Sequence, residues 1–469
     1  MPEKSSVRKV VDAAVAFTLV FVGSIAVTWG ALSFFRPDSS PFELKVEFTA
    51  DVTEEPNDFV ADVRAAAQLA RELWSYREQR AQSGEVDLAA LEQEALELLG
   101  ETPDAASFRQ AIRRFAAGLH DGHAGVRWTA ELQASSTRWP LSPALVMEGV
   151  AVDGLVASAE GVSRGDLILE VDGRPIEACL AEAERFVCAS TPGARRVAAL
   201  QALSQDGQAA YHEFKLQRLD GSIVERALPS LAGIDSVPAP SRVPITREAR
   251  RLPGDLGYFR PGTFAAPANS NWAAAKPSER EGLLAATFEE FDAQLEQLSS
   301  ARGIVLDLRG NPGGTDILGQ FLTDRLLEDS DYTYYRLASQ GRRGWGKFNP
   351  QGSDAPSGRT ELRQPLAVLI DDGTFSTADN VAFCLADHHP NVAFIGRPNG
   401  AGSGAPRGFA LPRTGVGLFF STMRVHRPSG SPIEGHPLTP DVPVTWTRSD
   451  LLEGRDPDLA AATQWFDAN

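Results

Sequence analysis

Cysteine is scarce, with Cys179, Cys188 and Cys384 the only three in 469 residues. Three thiols cannot frame a disulfide scaffold. A single straight helix between Cys179 and Cys188 would hold them about 13 Å apart, beyond disulfide reach. Only a break in that helix would let them pair. Basic clusters are missing as well. The net charge is −17, so no surface suits a phosphate backbone and nucleic acid is excluded as a partner. No His-Glu-x-x-His helix occurs. The pair His120 and His123 has metal-like spacing but no third ligand at a recognisable distance, so neither a metal nor any other cofactor is expected. The esterase signature Gly-x-Ser-x-Gly is also absent.

What is present is a globular composition, 43% hydrophobic and 23% charged, and enough length for two or three domains. The most informative stretch is Gly303 to Gly314. Ile304, Val305 and Leu306 lead into Asp307 and Arg309, and the segment closes on Gly-Asn-Pro-Gly-Gly. A short apolar run ending in such a turn predicts a buried strand, and Ile317, Leu318, Phe321, Leu322 and Leu326 predict a helix after it. Strand, glycine turn and helix leave backbone N–H groups able to hold an anion or a developing oxyanion. The pattern recurs at Leu366 to Ile370, an acidic turn, Ser376 and a further helix. A serine there has its hydroxyl exposed at the end of a sheet, with the Thr377 N–H pointing the same way.

The chain divides by composition. Residues 1–9 carry Lys4, Arg8 and Lys9, and residues 10–35 are apolar apart from Asp12. The apolar run exceeds the roughly 20 residues that span a bilayer, and the basic flank keeps the N-terminus cytoplasmic. An uncleaved transmembrane anchor is therefore preferred over a cleaved signal peptide, whose apolar core would be shorter. Residues 36–57 form a linker. Residues 58–128 carry helical periodicity and form an N-terminal cap. Residues 129–235 form a β-rich module, with a helix expected at Glu177 to Val187 and a hairpin across Asp220-Gly221. A proline-rich connector, Ala232 to Arg251, leads to an α/β domain at 250–469, where ligands belong at the strand C-termini. Val416 to His426 predicts one long strand, and Asp450 to Phe466 a helix.

Three segments carry a family resemblance: Asp307-Leu-Arg-Gly-Asn-Pro-Gly-Gly, the strand leading to Ser376, and Ile433-Glu-Gly-His-Pro-Leu-Thr-Pro-Asp-Val. Together they resemble the C-terminal-processing (tail-specific) proteases, the tricorn core and the retinoid-binding-protein repeats. The resemblance implies a C-terminal domain of the ClpP/crotonase-like type. Gly165-Asp-Leu-Ile-Leu-Glu-Val-Asp-Gly resembles the signature of PDZ-like domains, which bind an extended peptide at a sheet edge. One branch of the family pairs the serine with a lysine in a glycine-rich loop. Here that loop is Gly400-Ala-Gly-Ser-Gly, with no lysine near it. The other branch takes its base from an Asp-Gly-His turn, which His123 matches, and a glutamate nearly sixty residues after the serine, which Glu434 matches. The resemblance thus implies Ser376 as nucleophile, His123 as base, Glu434 as the orienting carboxylate, and an oxyanion hole from Thr377 with Gly314 or Gly313. Rival bases are His436, His388 and His389. Asp379 stands where the family often has glutamate. The expected protein is a membrane-anchored serine endopeptidase on the periplasmic or extracellular side of the cytoplasmic membrane, acting on protein or peptide substrates. The alternative is an inactive member of the same fold that binds a peptide or lipid.

Overall fold

The computed structural model describes residues 46–134, 137–156, 159–205, 209–232, 246–265, 277–327, 331–341, 344–355 and 361–469. The expected anchor at 10–35 lies outside the described residues. Among those described, no helix is long and apolar enough to cross a membrane.

The α/β domain is built on a six-stranded sheet. Its order is Glu248–Leu252, Leu256–Arg260, Gly303–Asp307, Leu366–Ile370, Val392–Gly396 and Val442–Pro443. All neighbours are parallel except the first pair, so the expected connector contributes an antiparallel edge strand. The central strands are buried along their whole length, which explains their unbroken apolar sequence. The helices Asp316–Leu326 and Thr377–His388 cover one face. The helix Pro457–Ala468 covers the other. It is preceded by a separate short helix, Arg448–Glu453, so the single helix expected at Asp450 to Phe466 is two. Gly454 in the left-handed region and Pro457 at the next helix's start make the break.

Beneath the glycine turn lies a buried ion network. Asp307 pairs with Arg309 and Arg260, and Tyr258 donates to it at 2.7 Å. Arg309 also grips Asp456 and Asp458 at the start of the last helix. Burial alone would raise the Asp307 carboxyl, but the two guanidiniums outweigh it and hold the group well below its ordinary range. Asp307 and Arg309 thus brace the turn rather than face a ligand.

The β-rich module is a six-stranded antiparallel sheet with its own core around Trp139, Ile168, Leu180 and Phe214. The hairpin pairs Tyr211–Gln217 with Ile223–Pro229. The helix expected at Glu177 to Val187 runs Ile176–Ala183 and tightens into a 3₁₀ turn at Glu184–Phe186. Even so, Cys179 and Cys188 are both free and buried.

The cap is not independent of the C-terminal domain. Its helices Asp58–Leu73, Leu88–Leu99 and Ala105–Gly118 share one core with Leu411, Val416, Leu418 and Phe420. Its terminal strand Gly125–Arg127 pairs with Gly417–Ser421. The single strand expected at Val416 to His426 is divided at Thr422, where the backbone N–H turns aside to Gly404 O. The second half, Met423–His426, pairs instead with Tyr335–Gly341.

Asp62, fully buried in the first long cap helix, accepts hydrogen bonds from the Arg413 and Thr414 N–H groups, both at 2.9 Å, and from the Thr414 hydroxyl. Replacing Asp62 with Ala orphans these donors. We expect the unfolding free energy in urea to fall by roughly 1–3 kcal/mol. An unchanged midpoint would mean that water satisfies them.

Candidate active site

Ser376 sits between the strand Leu366–Ile370 and the helix Thr377–His388 with φ 59° and ψ −118°. A residue with a side chain is strained there, and such strain persists only when its surroundings enforce it. The enforcement comes from Asp379, fully buried one helical turn on. Its carboxylate accepts from Ser376 N at 3.0 Å, Gly402 N at 2.8 Å and Asn399 Nδ2 at 2.7 Å. The elbow and the glycine-rich loop are thereby held as one piece.

His123 comes from the opposite end of the chain. Its Nε2 lies 3.3 Å from Ser376 Oγ. The imidazole is buried and rests against the Phe375 ring, with centroids 4.6 Å apart. Its position is fixed by the turn it occupies. Asp121 accepts from the His123 N–H at 2.9 Å, and from Trp74 Nε1, Ser421 N and Ser421 Oγ at 3.0, 2.8 and 2.9 Å.

Glu434 is wholly buried. One oxygen each of Asp121 and Glu434 and a ring nitrogen of His123 lie within 4.8 Å of one another. These three donor types would suit a divalent cation. However, Asp121 already accepts four hydrogen bonds, which a metal would have to displace. Glu434 accepts from Ser403 N at 3.2 Å, and its other oxygen faces Arg80 Nη2 at 3.6 Å. Burial, reinforced by Asp121, pushes Glu434 up to about 8 despite Arg80. Burial likewise draws His123 down to about 4, with Asp121 opposing.

The glycine turn lies against the elbow. A Cβ on Gly313, whose φ is 93°, would come within 2.8 Å of Phe375 O and Thr377 N and 2.9 Å of Ser376 Cβ. The Gly313 N–H is already spent on Asn311 Oδ1 at 2.9 Å. Neither the Gly314 N–H nor the Thr377 N–H donates to a described residue. Of the two glycines considered for an oxyanion hole, Gly314 therefore has the available donor.

The rival histidines lie elsewhere. His388 meets Thr333 O at 2.9 Å, His389 accepts from Asn391 N, and His436 turns back to Glu434 O at 2.8 Å. Several residues around the site have no signal in the sequence. Trp74, Tyr76 and Arg80 read as ordinary helix residues, yet Tyr76 donates to Ser403 O and Arg80 reaches Glu434. Asp121 is visible only as the first residue of the histidine turn.

An activatable serine, an imidazole, a buried carboxylate and open N–H groups at the strand C-termini of an α/β sheet are the parts of a serine hydrolase. Comparison narrows the class. Residues 256–444 match Peptidase family S41 and form a domain of that family. Over 215 residues the chain is 27% identical to a carboxy-terminal-processing protease of Bartonella bacilliformis, covering 45% of this chain and 43% of that one. It is 28% identical over 159 residues to a nisin-resistance protein of Lactococcus lactis subsp. lactis, covering 32% and 49% respectively. The chain thus spans less than half the length of these curated relatives. Among solved structures, mature CPAF superposes with a TM-score of 0.69 at 18% identity, covering 84% of this chain and 94% of the other. Its complex with lactacystin gives 0.71 at 17% identity, covering 89% and 97%. At that identity the likeness is one of fold.

Replacing Gly313 with Ala forces a Cβ into the elbow backbone and adds left-handed strain. We expect at least a hundredfold loss in the rate at which a fluorophosphonate labels Ser376. Labelling at the wild-type rate would show that the turn yields without moving Thr377.

Proposed function

We propose that the chain is a membrane-anchored serine endopeptidase that forms an acyl-enzyme on Ser376. The carrying observation is the 3.3 Å approach of His123 Nε2 to Ser376 Oγ across 253 residues of sequence. In this reading neutral His123 takes the hydroxyl proton as Ser376 attacks a peptide carbonyl. The Thr377 and Gly314 N–H groups receive the oxyanion, each such donor stabilising the transition state by about 3 kcal/mol. The imidazolium then protonates the leaving amine, and water clears the acyl group by the reverse steps. Glu434, as carboxylate, stabilises the imidazolium.

The finer parts of the reading rest on sequence. The apolar run at 10–35 and the cations before it support a single-pass anchor in the cytoplasmic membrane, with the bulk of the chain periplasmic or extracellular. The β-rich module supports a PDZ-like role: its strand Ile223–Pro229 lies at a sheet edge, where an extended peptide adds by strand pairing. The assembled Ser376–His123 contact favours turnover over simple binding.

A fluorophosphonate should label Ser376 in the wild-type chain, and His123→Ala should slow labelling on the order of 10⁴-fold. A folded wild-type protein that never labels would reject the hydrolase reading. The pH dependence has a definite sign. Activity needs neutral His123 beside ionised Glu434, and below about 8 Glu434 holds a proton. For peptide cleavage, kcat/KM should therefore climb with pH through the region of 8. A profile already flat from pH 6 upward would contradict this.

A further inference from the structure

Of the two N–H groups proposed to receive the oxyanion, that of Gly314 belongs to a residue with no side chain to hold it. A glycine backbone turns almost freely, so the aim of this N–H must be set by whatever grips the peptide planes on either side. Two contacts do so. On one side, Gly313 O accepts from the Phe264 N–H at 2.8 Å. In a trans peptide the N–H points opposite to the carbonyl, so this bond turns the Gly314 N–H away from Phe264. On the other side, Gly314 O accepts from the Thr377 hydroxyl at 3.0 Å. The resulting φ of 146° favours glycine, and a Cβ at Gly314 would come within 2.2 Å of Phe264 O.

The second contact joins the two proposed donors. Thr377 offers one N–H from its backbone, and its side chain grips the carbonyl of the residue that offers the other. Its own N–H is aimed in the same manner. Across that peptide, Ser376 O accepts from Asn380 N at 2.9 Å and so points along the helix. The Thr377 N–H therefore points back from the helix start. The hydroxyl is also fixed in direction. It lies 3.0 Å from Asp316 Oδ1, which accepts from Asn380 Nδ2 at 3.0 Å, so its single proton is forked between two acceptors. The Thr377 methyl has a separate contact. It packs against the helix Asp316–Leu326, where a Cβ on Gly319 would come within 2.7 Å of it.

Resting on the serine-peptidase reading, we propose that the Thr377 hydroxyl is a positioning group for the oxyanion hole: by holding Gly314 O it keeps the Gly314 N–H convergent with the Thr377 N–H. It touches no reacting atom and acts only through the glycine turn. Without it Gly314 keeps one gripped peptide plane and loses the other, and its orphaned carbonyl turns to find another donor.

The test separates the two ends of one side chain. Thr377→Val keeps the methyl and deletes the hydroxyl, and Thr377→Ser does the reverse. Both are made in the full-length chain and assayed on a quenched fluorogenic peptide. Thr377→Val should lower kcat about tenfold with KM unchanged, short of the roughly hundredfold or greater cost of losing a whole oxyanion donor. It should weaken a peptide aldehyde, whose tetrahedral adduct on Ser376 sets its oxygen among these N–H groups, by the same factor. Thr377→Ser should keep wild-type kcat and aldehyde affinity even where its melting temperature falls. Wild-type kcat in Thr377→Val would overturn the proposal. A loss in both variants that follows melting temperature would mark the side chain as mere packing and overturn it equally. A folded wild-type chain that a fluorophosphonate never labels would instead bring down the peptidase reading, and this inference with it.

Discussion

The site depends first on the Asp121 carboxylate. Four donors converge on it: the Trp74 indole from the break between two cap helices, the His123 N–H of its own turn, and the backbone and hydroxyl of Ser421 from the C-terminal domain. A buried carboxylate is costly to desolvate unless its oxygens are filled by donors. Satisfying Asp121 therefore requires these segments to meet. Their meeting is what carries an imidazole from residue 123 to a hydroxyl at residue 376. The pairing of Gly125–Arg127 with Gly417–Ser421 continues the same junction as a sheet.

A second buried acid performs the matching task on the serine side. Asp379 binds the elbow to the loop at Asn399 to Ser403, and that loop reaches Glu434 through the Ser403 N–H. The two assemblies meet where His123 Nε2 lies 3.3 Å from Ser376 Oγ. Each is built from a carboxylate that takes backbone N–H groups, which fixes chain geometry more tightly than side-chain contacts alone. Glu434 takes a single backbone N–H, from Ser403, and lies beside a second carboxylate, so burial pushes its carboxyl up to about 8.

Much of the C-terminal domain was legible in the sequence, because parallel strands buried on both faces read as uninterrupted apolar runs. Ile304 to Leu306 and Leu366 to Ile370 stand out in that way, and the turns after them carry the glycines and the serine. Where the sequence misled, tertiary pairing had overridden the local pattern. The alternation from Val416 to His426 suits one strand, but its two halves have different partners on either side of Thr422. Arg80 and Trp74 carried no signal, since their significance lies in partners distant in sequence, Glu434 and Asp121. Arg309 carried a strong signal whose meaning was structural. It sits under the glycine turn and holds the last helix through Asp456 and Asp458.

The separation of the parts along the chain sets an order of events during synthesis. His123 is made early, Ser376 late, and Glu434 and the Arg309 partners Asp456 and Asp458 later still. Such long-range contacts close only when both ends are present. A nascent chain, still attached to the ribosome, therefore holds the Ser376 hydroxyl and the His123 imidazole before Glu434 and the Arg309 partners Asp456 and Asp458 can join them.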